Sequence, residues 1–156
     1  PEAHSLVDVG GDKLPVVARI GADDLEQLKA GYATSKEIDV VVFSAPQLSI
    51  YELRDLAQRC AGRSFRRPLL AVTSPQVKPD CDRFGYTEAI QAAGGTVLSG
   101  MCFYQSYARE MSEAKGWKKL ATNSAKLVNI LGGYGYSPML ASMEACLQAA
   151  ETGELA

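Results

Sequence analysis

Ile38-Asp39-Val40-Val41-Val42-Phe43 is an almost unbroken run of β-branched and aromatic residues. A half-exposed strand would alternate apolar and polar residues. A continuous run reads instead as a strand buried on both faces, the habit of parallel sheets covered by helices. After the Ala45-Pro46 turn, Ser49 is followed three residues later by Glu52, a capping box that predicts a helix start. Tyr51, Leu53, Leu56, Ala57 and Cys60 continue it as a helical stripe ending near Gly62.

The same alternation repeats outward from this unit. Upstream, Val16-Val17-Ala18-Arg19-Ile20 reads as a strand, followed by a helix from about Asp23. Downstream, Pro68 to Val72 is a second buried strand, with a helix predicted to start at Ser74-Pro75. A helix from Tyr86 to Ala93 closes at Gly94-Gly95 and leads into the strand Thr96-Val97-Leu98. Helices are predicted over Gln105–Ala114, Ser124–Leu131 and from Ser142 through Ala150, with Gly132 to Tyr136 as a loop. Repeated strand, turn and helix predicts a three-layer α/β/α fold with a mostly parallel sheet, with Ile38–Phe43, Leu69–Val72 and Thr96–Leu98 side by side.

At 156 residues, 47% hydrophobic and 22% charged, the composition is that of a globular chain. The length fits a single α/β domain over 1–156. The opening Pro1-Glu2-Ala3, without a methionine, reads as part of something longer. A net charge of -2 and a pI near 5.4 give no electrostatic reason to expect nucleic acid or an anionic membrane as partner. No apolar run approaches the roughly 20 residues of a membrane helix. The four cysteines are widely spaced, with no C-x-x-C pair, which favours a reducing, cytoplasmic setting over a disulfide scaffold.

Two segments carry candidate chemistry. Val97-Leu98-Ser99-Gly100-Met101-Cys102 delivers a thiol just after a strand. Lys119-Leu120-Ala121 gives way to Thr122-Asn123-Ser124-Ala125-Lys126 at a helix start, which crowds hydroxyl, amide and ammonium groups together. Both fall at the carboxyl ends of strands, where open α/β sheets place ligands, and the second would suit a small anionic substrate. Against these stand plainer readings: Cys102 as a packed thiol, and residues 122–126 as an ordinary cap with a solvated lysine. Cys60, Cys81 and Cys146 fall on predicted helices and read as packing. His4 reads as an exposed residue near a chain end, Arg63, Arg66 and Arg67 as a solvated loop, and Tyr134 and Tyr136 as packing or a domain contact.

Taken in order, Ile38 to Glu52 with its pattern D-V-V-V-F-x-x-P-x-x-S-x-x-E, the Gly95–Cys102 segment in which a strand delivers a cysteine, and the Thr122–Lys126 run resemble the aconitase X large subunit. So do Ser142-Met143-Glu144-Ala145-Cys146, Ala149-Ala150-Glu151-Thr152-Gly153 and the opening Pro1-Glu2-Ala3. The resemblance implies part of a hydro-lyase that removes water from a small hydroxy acid, such as a hydroxyproline or phosphomevalonate. It implies Cys102 as a ligand to an iron–sulfur cluster or a mononuclear iron, and Thr122, Asn123, Ser124 and Lys126 as substrate-binding residues. It also implies an N-terminal part of the large subunit and a small swivelling domain or subunit as partners.

Where many relatives carry P-H-x-S, often preceded by a ligand cysteine, this chain has Ala45-Pro46-Gln47-Leu48-Ser49. Ala45 cannot bind iron and Gln47 cannot relay a proton as histidine does. A smaller metal centre, or none, follows from that departure. The alternative is a non-catalytic ligand-binding or structural α/β module. A cysteine nucleophile at Cys102 is a third reading, and it lacks a histidine base apart from His4.

Overall fold

A computed structural model describes residues 4–13, 15–32, 35–106 and 108–155. Among these residues five strands form one sheet: β1 (Val40–Leu48), β2 (Leu69–Thr73), β3 (Gly95–Ser99), β4 (Lys119–Thr122) and β5 (Ser137–Leu140). Their order is β3-β2-β1-β4-β5 and every neighbouring pair is parallel. The three strands predicted to lie side by side do so, with Val41 opposite Leu69 and Leu69 opposite Gly95.

Alternation along the central strands builds two cores. Val41 and Phe43 of β1 and Leu69 and Ala71 of β2 face one side. There they meet α2 (Ile50–Cys60), α3 (Lys78–Arg83), α4 (Tyr86–Ala92) and α7 (Met143–Thr152) through Leu53, Leu56, Cys81, Ile90 and Leu147. Val40, Val42, Leu70 and Val72 face the other side. There they meet Phe103, Ala108 of α5 (Ala108–Lys115), and Leu127 and Leu131 of α6 (Ala125–Leu131). The α/β class with a parallel, helix-flanked sheet is thus as the sequence predicts.

Local signals account for the helix boundaries. The Ser49–Glu52 capping box forms, with Glu52 N–H donating to Ser49 Oγ and Ser49 N–H donating to the Glu52 carboxylate at 2.8 Å. Ser142 caps α7, which ends at Gly153 with φ of 90°, a conformation glycine takes without a Cβ penalty. Asp39 accepts from the backbone N–H groups of Lys118 and Lys119, both at 2.8 Å, and so fixes the start of β4 beside β1.

Four expectations need correction. Val16–Ile20 is not a strand: it is irregular, with Val16, Val17 and Ile20 between 69% and 92% exposed. It finds no sheet edge among the described residues, and β propensity without a partner forms nothing. The following α1 (Ala22–Gly31) forms but buries none of its residues. Ser74-Pro75 opens a turn, with Ser74 Oγ accepting from Val77 N–H, and α3 begins only at Lys78. Gln105 closes a 3-10 turn over Phe103–Gln105, and α5 starts at Ala108. β5 follows the Gly132–Tyr136 loop in a segment the sequence left without a strand. Pro1-Glu2-Ala3 lies outside the described residues.

Candidate functional site

The strand order reverses between β1 and β4, because β1 leads outward to β2 on one side while β4 leads to β5 on the other. Connections that diverge in this way leave a crevice at the carboxyl edge, the usual ligand position in open parallel sheets. A cleft of about 290 Å³ lies there. The loop after β4 contributes Asn123 and Ser124 to its lining and the first turn of α6 contributes Lys126; the carboxyl half of β1 contributes Ser44, Ala45 and Pro46, and α2 contributes Glu52.

Thr122, Asn123, Ser124 and Lys126 play distinct parts in this geometry. Thr122 is fully buried, and its Oγ1 accepts from the Ser124 N–H at 3.2 Å, outside the cleft lining. Ser124 is half-buried; its Oγ accepts from Leu127 N–H at 3.1 Å as the cap of α6, and donates to the Ala45 carbonyl at 2.6 Å. Asn123 and Lys126 are exposed. The Lys126 ammonium stands 5.6 Å from the centre of the Tyr104 ring, a cation–π distance, and makes no ion pair among the described residues. Its charge is therefore available to an anion entering the cleft. Glu52 is less available, since its carboxylate already accepts from Ser49 N–H and Ser49 Oγ.

Cys102 sits on the same sheet edge, half-buried, but does not line this cleft. It follows β3, two strands away from β1, and packs against the core formed by Val72, Phe103 and Leu127. The link between the two places is the end of β1. The next residue, Phe103, donates its backbone N–H to Ser44 Oγ at 3.0 Å. Cys60, Cys81 and Cys146 are buried in the opposite core. Burial pushes the thiols of Cys60 and Cys146 up to about 11 and about 12.

The donor set tests whether a metal centre is complete here. Among the described residues, no three His, Cys, Asp or Glu side chains cluster closely enough to hold a metal ion. Cys102 fits as a single thiolate donor at a strand edge; a closed iron or iron–sulfur site is not built from these residues alone.

The sequence reading missed Ser44 and Glu52 as cleft residues and the part played by Gln47. Their position depends on β1 and β4 being neighbours, and strand order is not legible from one sequence. It also placed Arg63 in a solvated loop. The structure shows Arg63 only 20% exposed, its guanidinium shared between Glu144 at 2.5 Å and Glu151 at 2.8 Å. Tyr136 is core packing: it is buried, its OH donates to the Ala108 carbonyl at 2.9 Å, and its ring meets Phe103 edge-on.

Residues 38–152, most of the chain, match the family model for the aconitase X third domain. The chain belongs to the aconitase X family. Among curated relatives of this aconitase X chain, the phosphomevalonate dehydratase large subunit of Thermococcus kodakarensis is 29% identical over 137 residues. That alignment covers 85% of this chain and 34% of the relative. The phosphomevalonate dehydratase large subunit of Methanocaldococcus jannaschii is 28% identical over 137 residues, covering 85% and 32%. The chain thus spans about a third of the length of the curated relatives it matches. The crystal structure of Thermococcus kodakaraensis aconitase X in its holo-form matches with a TM-score of 0.74 at 24% identity, covering 86% of this chain and 36% of that one. At that identity the match speaks for the fold.

Proposed function

We propose that this chain is the substrate-facing third of a hydro-lyase large subunit that removes water from a small anionic hydroxy acid, with phosphomevalonate and hydroxyprolines as the candidates. The observation that carries the reading is Lys126, without an ion pair among the described residues, beside a cleft at the sheet's switch point, in a family whose relatives here are phosphomevalonate dehydratase large subunits. Lys126 and Asn123 would hold the substrate carboxylate. Ser124 and Thr122 would act through the loop: Ser124 fastens it to β1 and Thr122 shapes its turn.

Cys102 would donate one thiolate to an iron centre completed by residues outside this chain. Bound there, iron with an open coordination position would assist loss of the substrate hydroxyl as a Lewis acid. The base, the N-terminal part of the large subunit and a small swivelling domain would come from elsewhere in the enzyme. Four unpaired cysteines support a reducing compartment, the cytoplasm, as its location. No described helix is long and apolar enough to cross a membrane.

The test is made in the complete enzyme. Cys102→Ser should strip iron, measured by elemental analysis, and abolish dehydration. Lys126→Ala should raise KM for the hydroxy acid with a smaller change in kcat, since it removes binding charge and leaves the metal in place. Full iron loading and unchanged turnover in Cys102→Ser would remove the ligand role. A second reading, a ligand-binding module without chemistry, is favoured by the apolar Ala45 and by a Gln47 amide already engaged in hydrogen bonds. A folded enzyme that binds the hydroxy acid but never iron would establish it.

A further inference from the structure

The segment Ser44–Leu48 is where β1 leaves regular pairing with β2: Phe43 is still opposite Ala71, but Leu48 is opposite Thr73, so the register slips between them. Ala45 in this stretch has φ of 58°, the left-handed region that a residue with a Cβ enters only when its surroundings enforce it. Side chains on both flanks hold this stretch. On the β4 flank, Ser124 Oγ donates to the Ala45 carbonyl. On the β2 and β3 flank, Thr73 Oγ1 donates to the Leu48 carbonyl at 2.6 Å, and Ser44 Oγ accepts from Phe103 N–H. Gln47 Nε2 donates to the Thr73 carbonyl at 3.3 Å and to the Gly100 carbonyl, two residues before Cys102.

We infer that Gln47 is a positioning residue that ties the loop carrying Cys102 to the irregular end of β1, the same stretch that Ser124 fastens to the β4–α6 segment carrying Asn123 and Lys126. The inference rests on the proposed use of those two segments. Both acceptors are backbone carbonyls, so the bridge requires a group with two N–H donors and no negative charge. A primary amide meets that requirement. A carboxylate of the same length would face two carbonyl oxygens with no proton to give, and an apolar side chain would leave both without this partner. Gln47, which cannot relay a proton, thus has a use that needs an amide at that position. Gly100 is held a second time, its N–H donating to the Thr73 carbonyl at 3.1 Å, so the bridge acts on a loop already close to its final place.

The four free thiols supply the readout, because Cys102 is half-buried at the bridge and Cys60, Cys81 and Cys146 are buried away from it. The chain itself is treated with a disulfide reagent such as dithiodipyridine, in wild type, Gln47→Glu and Gln47→Leu, and each labelled cysteine is located by mass spectrometry. Loss of the bridge should speed labelling of Cys102 about tenfold in both variants, while the three buried thiols stay silent. A Cys102 rate unchanged in either folded variant would overturn the inference. Acceleration at all four thiols would also overturn it, since that reports general loosening instead of a local bridge. In the complete enzyme, Gln47→Leu should lower iron occupancy and kcat more than it raises KM. A wild-type enzyme that never takes up iron would sink the functional reading while leaving the thiol result standing.

Discussion

Ser124 Oγ donates to the carbonyl oxygen of Ala45 at 2.6 Å, joining the loop after β4 to the irregular carboxyl half of β1 across the sheet's switch point. The same oxygen caps α6 by accepting from Leu127 N–H. Ser124→Ala removes a helix cap and leaves a buried carbonyl without this partner. The expected cost is about 2 kcal/mol, read from the urea unfolding midpoint. Ser124→Thr keeps the hydroxyl and should recover most of it. A loss below about 0.5 kcal/mol in Ser124→Ala would show that the bridge adds nothing to the cap.

This bridge marks the boundary of what the sequence could say. Ser124 was legible as a helix start and as a strand-end residue, because hydroxyl caps and apolar runs are local signals. Its partner was not, since only the strand order brings residues 45 and 124 together. The same distinction explains the strands. β1 and β2 are dense in buried apolar residues, and β3 keeps a short β-branched pattern although Thr96 and Leu98 are exposed. All three are legible as strands, but β1 runs on to Leu48 through the Ala45-Pro46 pair that reads as a turn. β5 is four residues with a proline and follows a glycine-rich loop, so it owes its pairing to β4 and not to its own pattern. Val16–Ile20 fails in the opposite sense, with strong β propensity and no edge to join among the described residues.

Gly95, at the start of β3, should tolerate no side chain. A Cβ there would stand 2.7 Å from Ile90 Cγ2, 3.1 Å from the Ile90 carbonyl oxygen and 3.2 Å from Leu69 Cδ2. The backbone contact cannot relax without moving α4 against the sheet. Gly95→Ala should therefore destabilise by about 1–3 kcal/mol, the range for overpacked sites. Gly133→Ala, where nothing lies within 4 Å of the added Cβ, is the control and should stay within about 0.5 kcal/mol. Equal effects would mean that the crowding at β3 is relieved at no cost.

Arg63 joins the end of α2 to α7 by pairing with Glu144 and Glu151. The two acids hold its guanidinium above the usual arginine range, Glu144 being the larger influence. Both carboxylates remain partly exposed, so solvent screens the pairs. Arg63→Met, which keeps an apolar stem, should cost about 1 kcal/mol at low salt and less in molar salt. A salt-independent loss would assign the effect to packing of the side chain instead of its charge.

Alkaline conditions should unfold the protein through its buried thiols and tyrosine. Burial raises Cys60 from an ordinary 9.0 to about 11 and Cys146 to about 12, and raises Tyr136 from 10.0 to about 12. Each of these groups is neutral when protonated, and each holds its proton more tightly folded than unfolded. Below pH 9 both states are protonated, so the stability tied to these protons is fully present. Above it the unfolded chain ionises first, and stability falls until the folded groups also ionise near 11 to 12. The two thiols set in first and the tyrosine follows about one pH unit later. Each group then subtracts up to about 1.4 kcal/mol per pH unit across its window. Urea midpoints between pH 7 and 11 should fall along this course. In Cys60→Ala/Cys146→Ala the curve should start lower, because methyl groups replace buried thiols, yet decline less steeply between pH 9 and 11. Parallel curves for the two proteins would place the alkaline transition on other groups.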